Sequence, residues 1–214
     1  MHRRTLLQLA ALGPMGWLLR ALADDSTTMT TGVRQLKGSA TINGQAAHVG
    51  SPVNDGDVVE TGPDSQIIYV IDRDAFLQRA NSRVEVGGSS LKRILRLTTG
   101  ALLGVFGKGN KTLYTSTATI GIRGTGCYLE SQADRSYVCL CYGGAELIPT
   151  AAPEKAIAYQ SKHHDTPYWV LDSGEFVQPA KMINHTDAEL ELLEGLVGRV
   201  PAFERDGGYY GRRY

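Results

Sequence analysis

Cysteine is scarce in this chain and odd in number, three in 214 residues. An exported domain built on disulfides would carry a denser, even set, so a disulfide framework is excluded as the organising device. The short patterns that carry catalysis are absent too. There is no Ser-His-Asp order, nucleotide loop, His-Glu-x-x-His helix or paired-carboxylate signature, and the expectation is a protein that is not an enzyme. Net charge is missing as well, since 22 basic residues balance 22 acidic ones, which gives no support to a nucleic-acid partner. After the N-terminal segment no hydrophobic run approaches the length of a membrane span.

What is present begins with His2-Arg3-Arg4, an apolar run from Leu6 to Leu19, and Ala21-Leu22-Ala23 ahead of Asp24-Asp25. This is the layout of a signal peptide cleaved after Ala23. The order Arg3-Arg4-Thr5-Leu6-Leu7, with Arg20 close to the cleavage site, fits the twin-arginine export route, so the expected location is the periplasm, with membrane contact only through the signal during export. Cleavage takes away three arginines and no acid, leaving 19 basic against 22 acidic residues and a formal charge of −3. Residues 24–31, DDSTTMTT, have no period and read as a disordered leader.

From Gly32 the pattern becomes short β segments separated by turn residues. Asn43-Gly44 between two alternating runs is a hairpin signal, because both central residues of a tight primed turn need positive φ. Gln66 to Ile71 is apolar on both faces, as expected of a strand buried on both sides. Further strands are expected at Ala75–Arg79, Ser82–Val86, Ile94–Thr98, Ala101–Phe106 and Lys111–Thr115. Turn signals every eight to twelve residues, with no helical crossover between them, point to an all-β fold, an antiparallel sandwich, roll or solenoid.

The run GSATINGQAAHVGSPVNDGDVVETGPDSQIIYVI, followed by LRLTTGALLGVF and TSTATIGIRGTGCYLE, resembles a FecR-like domain over about residues 32–148. Gly56-Asp57, Thr61-Gly62 and Arg123-Gly124-Thr125 carry the resemblance together. It implies an all-β periplasmic binding or sensing domain of the kind found in membrane-anchored sigma regulators, with a periplasmic or envelope protein as partner. This chain is expected to lack the cytoplasmic anti-sigma segment of that family. The plain reading of the Gly-Asp-x-Val-x-Thr-Gly motif is structural, with Gly56 in a turn, Asp57 bonding its backbone and Gly62 ending the strand. Arg123 reads either as a ligand-facing charge or as a buried cap on backbone carbonyls.

All three cysteines fall in one expected hairpin, Thr119 to Gly144. Cys139 and Cys141 are two apart and share a strand face. A two-residue loop at Ala133-Asp134 would set Cys127 opposite Leu140, whereas a shifted register would set it opposite Cys139 or Cys141. A metal centre would use Cys127, Cys139 and Cys141 with one of His163 and His164, since adjacent residues of an extended segment point opposite ways and a closed site needs four ligands. Zinc or an iron–sulfur cluster would suit such ligands, although the spacing C-x11-C-x-C matches no standard finger or ferredoxin. The competing readings are one disulfide from Cys127 to Cys139 or Cys141, or three small buried apolar side chains.

After Ile148, PTAAPEKA reads as a linker, TPYWVL as one more strand, and Thr186-Asp187-Ala188-Glu189 as a capping box opening an amphipathic helix from about 187 to 198. The expected division is therefore a β domain at 32–148, an extension with a strand and a helix at 149–202, and a mobile tail at 203–214. His185, just before the cap, reads as a surface residue. The function expected from these features is non-enzymatic binding or sensing, with a metal centre of three cysteines and one histidine on the last hairpin. Two alternatives stand beside it: an exported electron-transfer or redox-sensing iron–sulfur protein on the same scaffold, and a structural envelope protein with a disulfide.

Overall fold

The fold is that of a computed structural model that describes residues 31–205; the expected signal peptide, most of the leader and the tail from 206 onward lie outside the described residues. The chain is all-β with a helical C-terminal end, as expected. The first strands, β1 (Gly32–Lys37), β2 (Ala40–Ile42), β3 (Gln45–Ala46) and β4 (Val58–Thr61), follow the turn residues read from the sequence. Asn43 and Gly44 take φ of 53° and 77° between β2 and β3, the left-handed values a tight primed turn demands. Asp57 accepts from the Asn54 backbone N–H and from the Asn43 side chain, both at 2.7 Å, and Gly62 follows the end of β4, so the Gly-Asp-x-Val-x-Thr-Gly motif is structural here.

β5 (Gln66–Ile71) lies between β1 and β6 (Asp74–Gln78) and is buried on both faces. Ile67, Tyr69 and Ile71 enter one core while Ile68 and Val70 enter a second core on the opposite side. β7 (Arg83–Ser89) and β8 (Lys92–Val105) come next, and β8 joins what the sequence presents as two strands, running through Gly100 at φ 86°. After β9 (Asn110–Tyr114) come the long arms β10 (Ala118–Ser131) and β11 (Arg135–Pro149), then β12 (Ile157–Ser161), β13 (Tyr168–Leu171) and β14 (Val177–Pro179). The segment expected to hold one strand thus holds three, which extend the same sheet from β11 rather than forming a separate unit.

One continuous sheet folds over on itself into two layers. β8, β10 and β11 each cross between layers, and each bends at glycine: Gly100, Gly124 at φ 57° within a bulge, and Gly143 at φ 99°. Positive φ at these points reverses the local curvature without the steric penalty a side chain would meet. The Arg-Gly-Thr segment is therefore the bend of β10, with Arg123 exposed rather than buried against carbonyls. Pairing is antiparallel except between β8 and β9, which run parallel. Beside that pair Asp74, Arg93 and Lys111 form a buried charged group, with Asp74 Oδ2 accepting from Arg93 Nε and from Lys111 Nζ, both at 3.3 Å.

The outer face of one layer carries the second core and is covered by α1 (Asp187–Leu196) and α2 (Ala202–Arg205). Thr186 caps α1 in a complete capping box with Glu189, as its sequence predicts. Leu190 and Leu193 are fully buried and Val197 nearly so, each contributing about 1.5–3 kcal/mol of transfer free energy. α2 runs from the end of the extension into the segment expected to be tail, where Phe203 packs on Tyr142 at 5.9 Å between ring centroids. Among the described residues no helix is long and apolar enough to cross a membrane.

Candidate metal centre

The turn between β10 and β11 decides where the cysteines go. Ser131 pairs with Ser136, and the Gln132 N–H donates to the Arg135 carbonyl at 2.9 Å, which leaves Ala133-Asp134 as a two-residue loop. In that register Cys127 pairs with Leu140, and the two face the core between the layers. Cys139 and Cys141 point the other way, beneath α1. The expected three-thiol set is thus corrected to two, because strand alternation puts Cys127 on the wrong face. All three thiols are free, so the cross-hairpin disulfide is not formed.

Two histidines complete the group. His164 Nδ1 lies 3.4 Å from Cys139 Sγ, and His185 Nε2 lies 3.5 Å from Cys141 Sγ and 3.1 Å from His164 Nδ1. The four ligand atoms all fall within 4.8 Å of one another. A tetrahedral ion with bonds of about 2.3 Å to sulfur and about 2.0–2.1 Å to nitrogen needs ligand edges of roughly 3.5 Å for sulfur to nitrogen and roughly 3.4 Å for nitrogen to nitrogen. The three observed contacts lie within about 0.3 Å of those edges. A two-iron cluster would set cysteines and histidines on different irons across bridging sulfides, further apart than these atoms lie.

The far nitrogen of each ring is already committed. His185 Nδ1 donates to the Ile183 carbonyl at 2.6 Å, and His164 Nε2 donates to Asp187 Oδ1 at 3.0 Å. These bonds fix the tautomers that leave His164 Nδ1 and His185 Nε2 as lone pairs aimed at one point, the outer-shell arrangement of metal-bound histidine. His163 also reaches Asp187, at 2.9 and 3.0 Å. Neighbouring side chains face opposite ways only on extended backbone. His164 instead has φ of 53°, which turns both rings to the same side, 4.9 Å apart.

Electrostatics point the same way. The Cys139 thiol is pushed down to about 4 by hydrogen bonding from Cys141, with burial opposing and His164 and His185 assisting. Burial pushes Cys141 and Cys127 well up. For His164 burial works downward, but bonding to Cys139 and then Asp187 outweighs it and leaves its pKa raised. Cys139 and Cys141 are wholly buried, so the low Cys139 pKa is set within the Cys/His group rather than at the surface.

His185 is the residue that sequence reasoning missed. It is 5% exposed and stacks on Tyr128 at 4.6 Å, far from the surface role expected of it. A usable signal existed: once a two-residue hairpin loop removes Cys127, a four-ligand site needs a second histidine, and His185 stands two residues before the acidic first turn of a capped helix.

No family model and no curated protein sequence matches this chain. Its fold has solved counterparts. Two crystal structures described as a "putative anti-sigma factor" from Parabacteroides distasonis ATCC 8503, at 2.50 and 1.65 Å resolution, superpose with a TM-score of 0.50 at 10% sequence identity. The match covers 64% of this chain and 64% and 65% of those chains, so the chain spans less than two thirds of their length. At that identity the likeness is one of fold.

Proposed function

We propose that this chain is a non-enzymatic binding or sensing domain of FecR type that works in the periplasm and carries a single tetrahedral metal ion, of zinc type, on Cys139, Cys141, His164 and His185. The observation that carries the reading is the convergence of four acceptor atoms whose outer partners are already in place. The fold-level likeness to structures with an anti-sigma description, together with the Gly-Asp-x-Val-x-Thr-Gly and Arg-Gly-Thr segments, supports a regulatory setting rather than a catalytic one. Twin-arginine export fits as well, because it carries folded proteins and permits loading before translocation. When bound, the ion joins strand, loop and helix start; all four ligand positions being filled by protein leaves no open coordination site for chemistry.

The test is elemental analysis and Co2+ titration of the natively purified full chain. One equivalent of metal, a colourless zinc form and intense visible bands for the tetrahedral Co2+ form are expected. Less than about 0.2 equivalents of any transition metal, with no cobalt spectrum, would sink the reading. A visible chromophore that bleaches on reduction would replace it with the iron–sulfur alternative.

A further inference from the structure

We infer that the metal ion is the clasp that holds the C-terminal helical segment, residues 185–205, on the sheet, so that metal occupancy sets whether that segment is docked; this rests on the metal-binding reading above. The four ligands differ in what else holds them. Cys139 and Cys141 both sit mid-strand in β11, Cys139 paired with Tyr128 of β10 and Cys141 at the bulge between the Leu140 and Tyr142 pairs. His164 is pinned by its own backbone N–H, which donates to the Cys141 carbonyl at 2.9 Å. His185 alone arrives from the far segment, and its firmest hydrogen bond, 2.6 Å to the Ile183 carbonyl, is to the chain just before that segment and not to the sheet. Without a metal bond it holds to the sheet side through contacts of 3.1 Å to His164 and 3.5 Å to Cys141, through its interaction with Cys139, and through its stacking on Tyr128.

The start of α1 and the metal shell are one structure. His185 precedes the N-cap Thr186, and Asp187, the first residue of α1, accepts from both His163 and His164. α1 then covers Ile68, Val70, Leu77, Leu103 and Val105, and α2 sets Phe203 against Tyr142 and His163. A helix of ten residues does not persist in water by itself, so its order depends on this docking. Other ties also cross to the sheet: the Arg79–Glu189 pair at 2.8 Å, about a quarter exposed, the buried bond from the Tyr142 hydroxyl to Glu194, and the bond from Arg199 to the Arg73 carbonyl at 2.6 Å; none of them reaches His185. The ion can shift the docking equilibrium because it gains a fourth ligand only in the docked state, and a ligand moves an equilibrium by its differential affinity.

Reciprocity makes this testable without touching a ligand, since undocking α1 must weaken metal binding by the factor by which metal strengthens docking. In the full chain, Leu193→Ala is expected to lower Zn2+ or Co2+ affinity at least tenfold, while Val84→Ala, a truncation in the other core, leaves it within twofold. Hydrogen exchange on stripping Zn2+ with a chelator is expected to raise opening of amides 187–197 at least tenfold and to leave β5 and β6 protected. One bound metal with unchanged affinity in Leu193→Ala and unchanged α1 protection after stripping would overturn the clasp while leaving the metal site intact. Loss of protection throughout the strands on stripping would also overturn it. Absence of metal binding in the unmodified chain would instead remove the underlying reading.

Discussion

Cys127, Cys139 and Cys141 are chemically alike and within fifteen residues of one another, yet one register relation separates a core side chain from two candidate ligands. Cys127→Ala should therefore keep one equivalent of metal and cost about 1 kcal/mol in urea unfolding of the loaded protein, whereas Cys139→Ser or Cys141→Ser should lose tight binding in the same Co2+ titration. Retention of metal by Cys139→Ser would contradict the assignment. Asp187 stands outside the proposed four-ligand set and accepts from His164 Nε2, which leaves Nδ1 facing the thiols. Asp187→Asn is expected to weaken metal affinity about 10–100-fold without changing the cobalt band positions, measured by competition with a chromogenic chelator. At this scale the sequence revealed the strand face shared by Cys139 and Cys141 and the turn that would exclude Cys127. It could not reveal His164 at φ 53° or His185 folded back across the sheet, because both follow from loop conformation rather than periodicity.

Elements were more legible than their connections. The Asn43-Gly44 hairpin, the doubly buried β5 and the capped α1 each rest on local signals that tertiary packing reinforces. The joining of Ile94–Thr98 and Ala101–Phe106 into β8 was not legible, because a glycine between apolar runs reads as a break unless its partners are known. Its bend can be tested. A Cβ at Gly100 would lie 2.1 Å from Ser82 Oγ and 2.5 Å from Ser82 Cα, at φ 86°. Gly100→Ala should cost about 2–5 kcal/mol by strain and overpacking. Gly121, whose added Cβ would meet nothing within 4 Å, is the control: Gly121→Ala should stay within about 0.5 kcal/mol in the same urea titration.

The whole molecule has one sheet, two cores and one buried charged group that belongs to neither the metal centre nor the helices. Lys111 and Asp74 are essentially inaccessible, and Asp74 also accepts from the Gly107 N–H at 2.8 Å. Removing Lys111 leaves Asp74 with Arg93 as its remaining buried cation and strips the Ser90 carbonyl of a donor, so Lys111→Met should lower stability by about 1–3 kcal/mol, read from the urea midpoint. A neutral outcome would mean that hydrophobic replacement compensates fully at this position. Overall class was open to sequence reading because turn spacing and alternation set it. The attachment of the extension was not, since β12 to β14 continue the sheet from β11 and only pairing partners could have shown it.

The bends at Gly100, Gly124 and Gly143 have a kinetic and cooperative meaning as well. Because β8, β10 and β11 each supply hydrogen bonds to both layers, neither layer owns a complete set of strands that could open while the other persists. Amides on the two sides of each bend, such as Leu97 and Leu103, should exchange with one common free energy equal to that of global unfolding, whereas independent layers would give two. Folding should likewise wait on distant strand pairings, so this domain is expected to fold slowly, as a single unit.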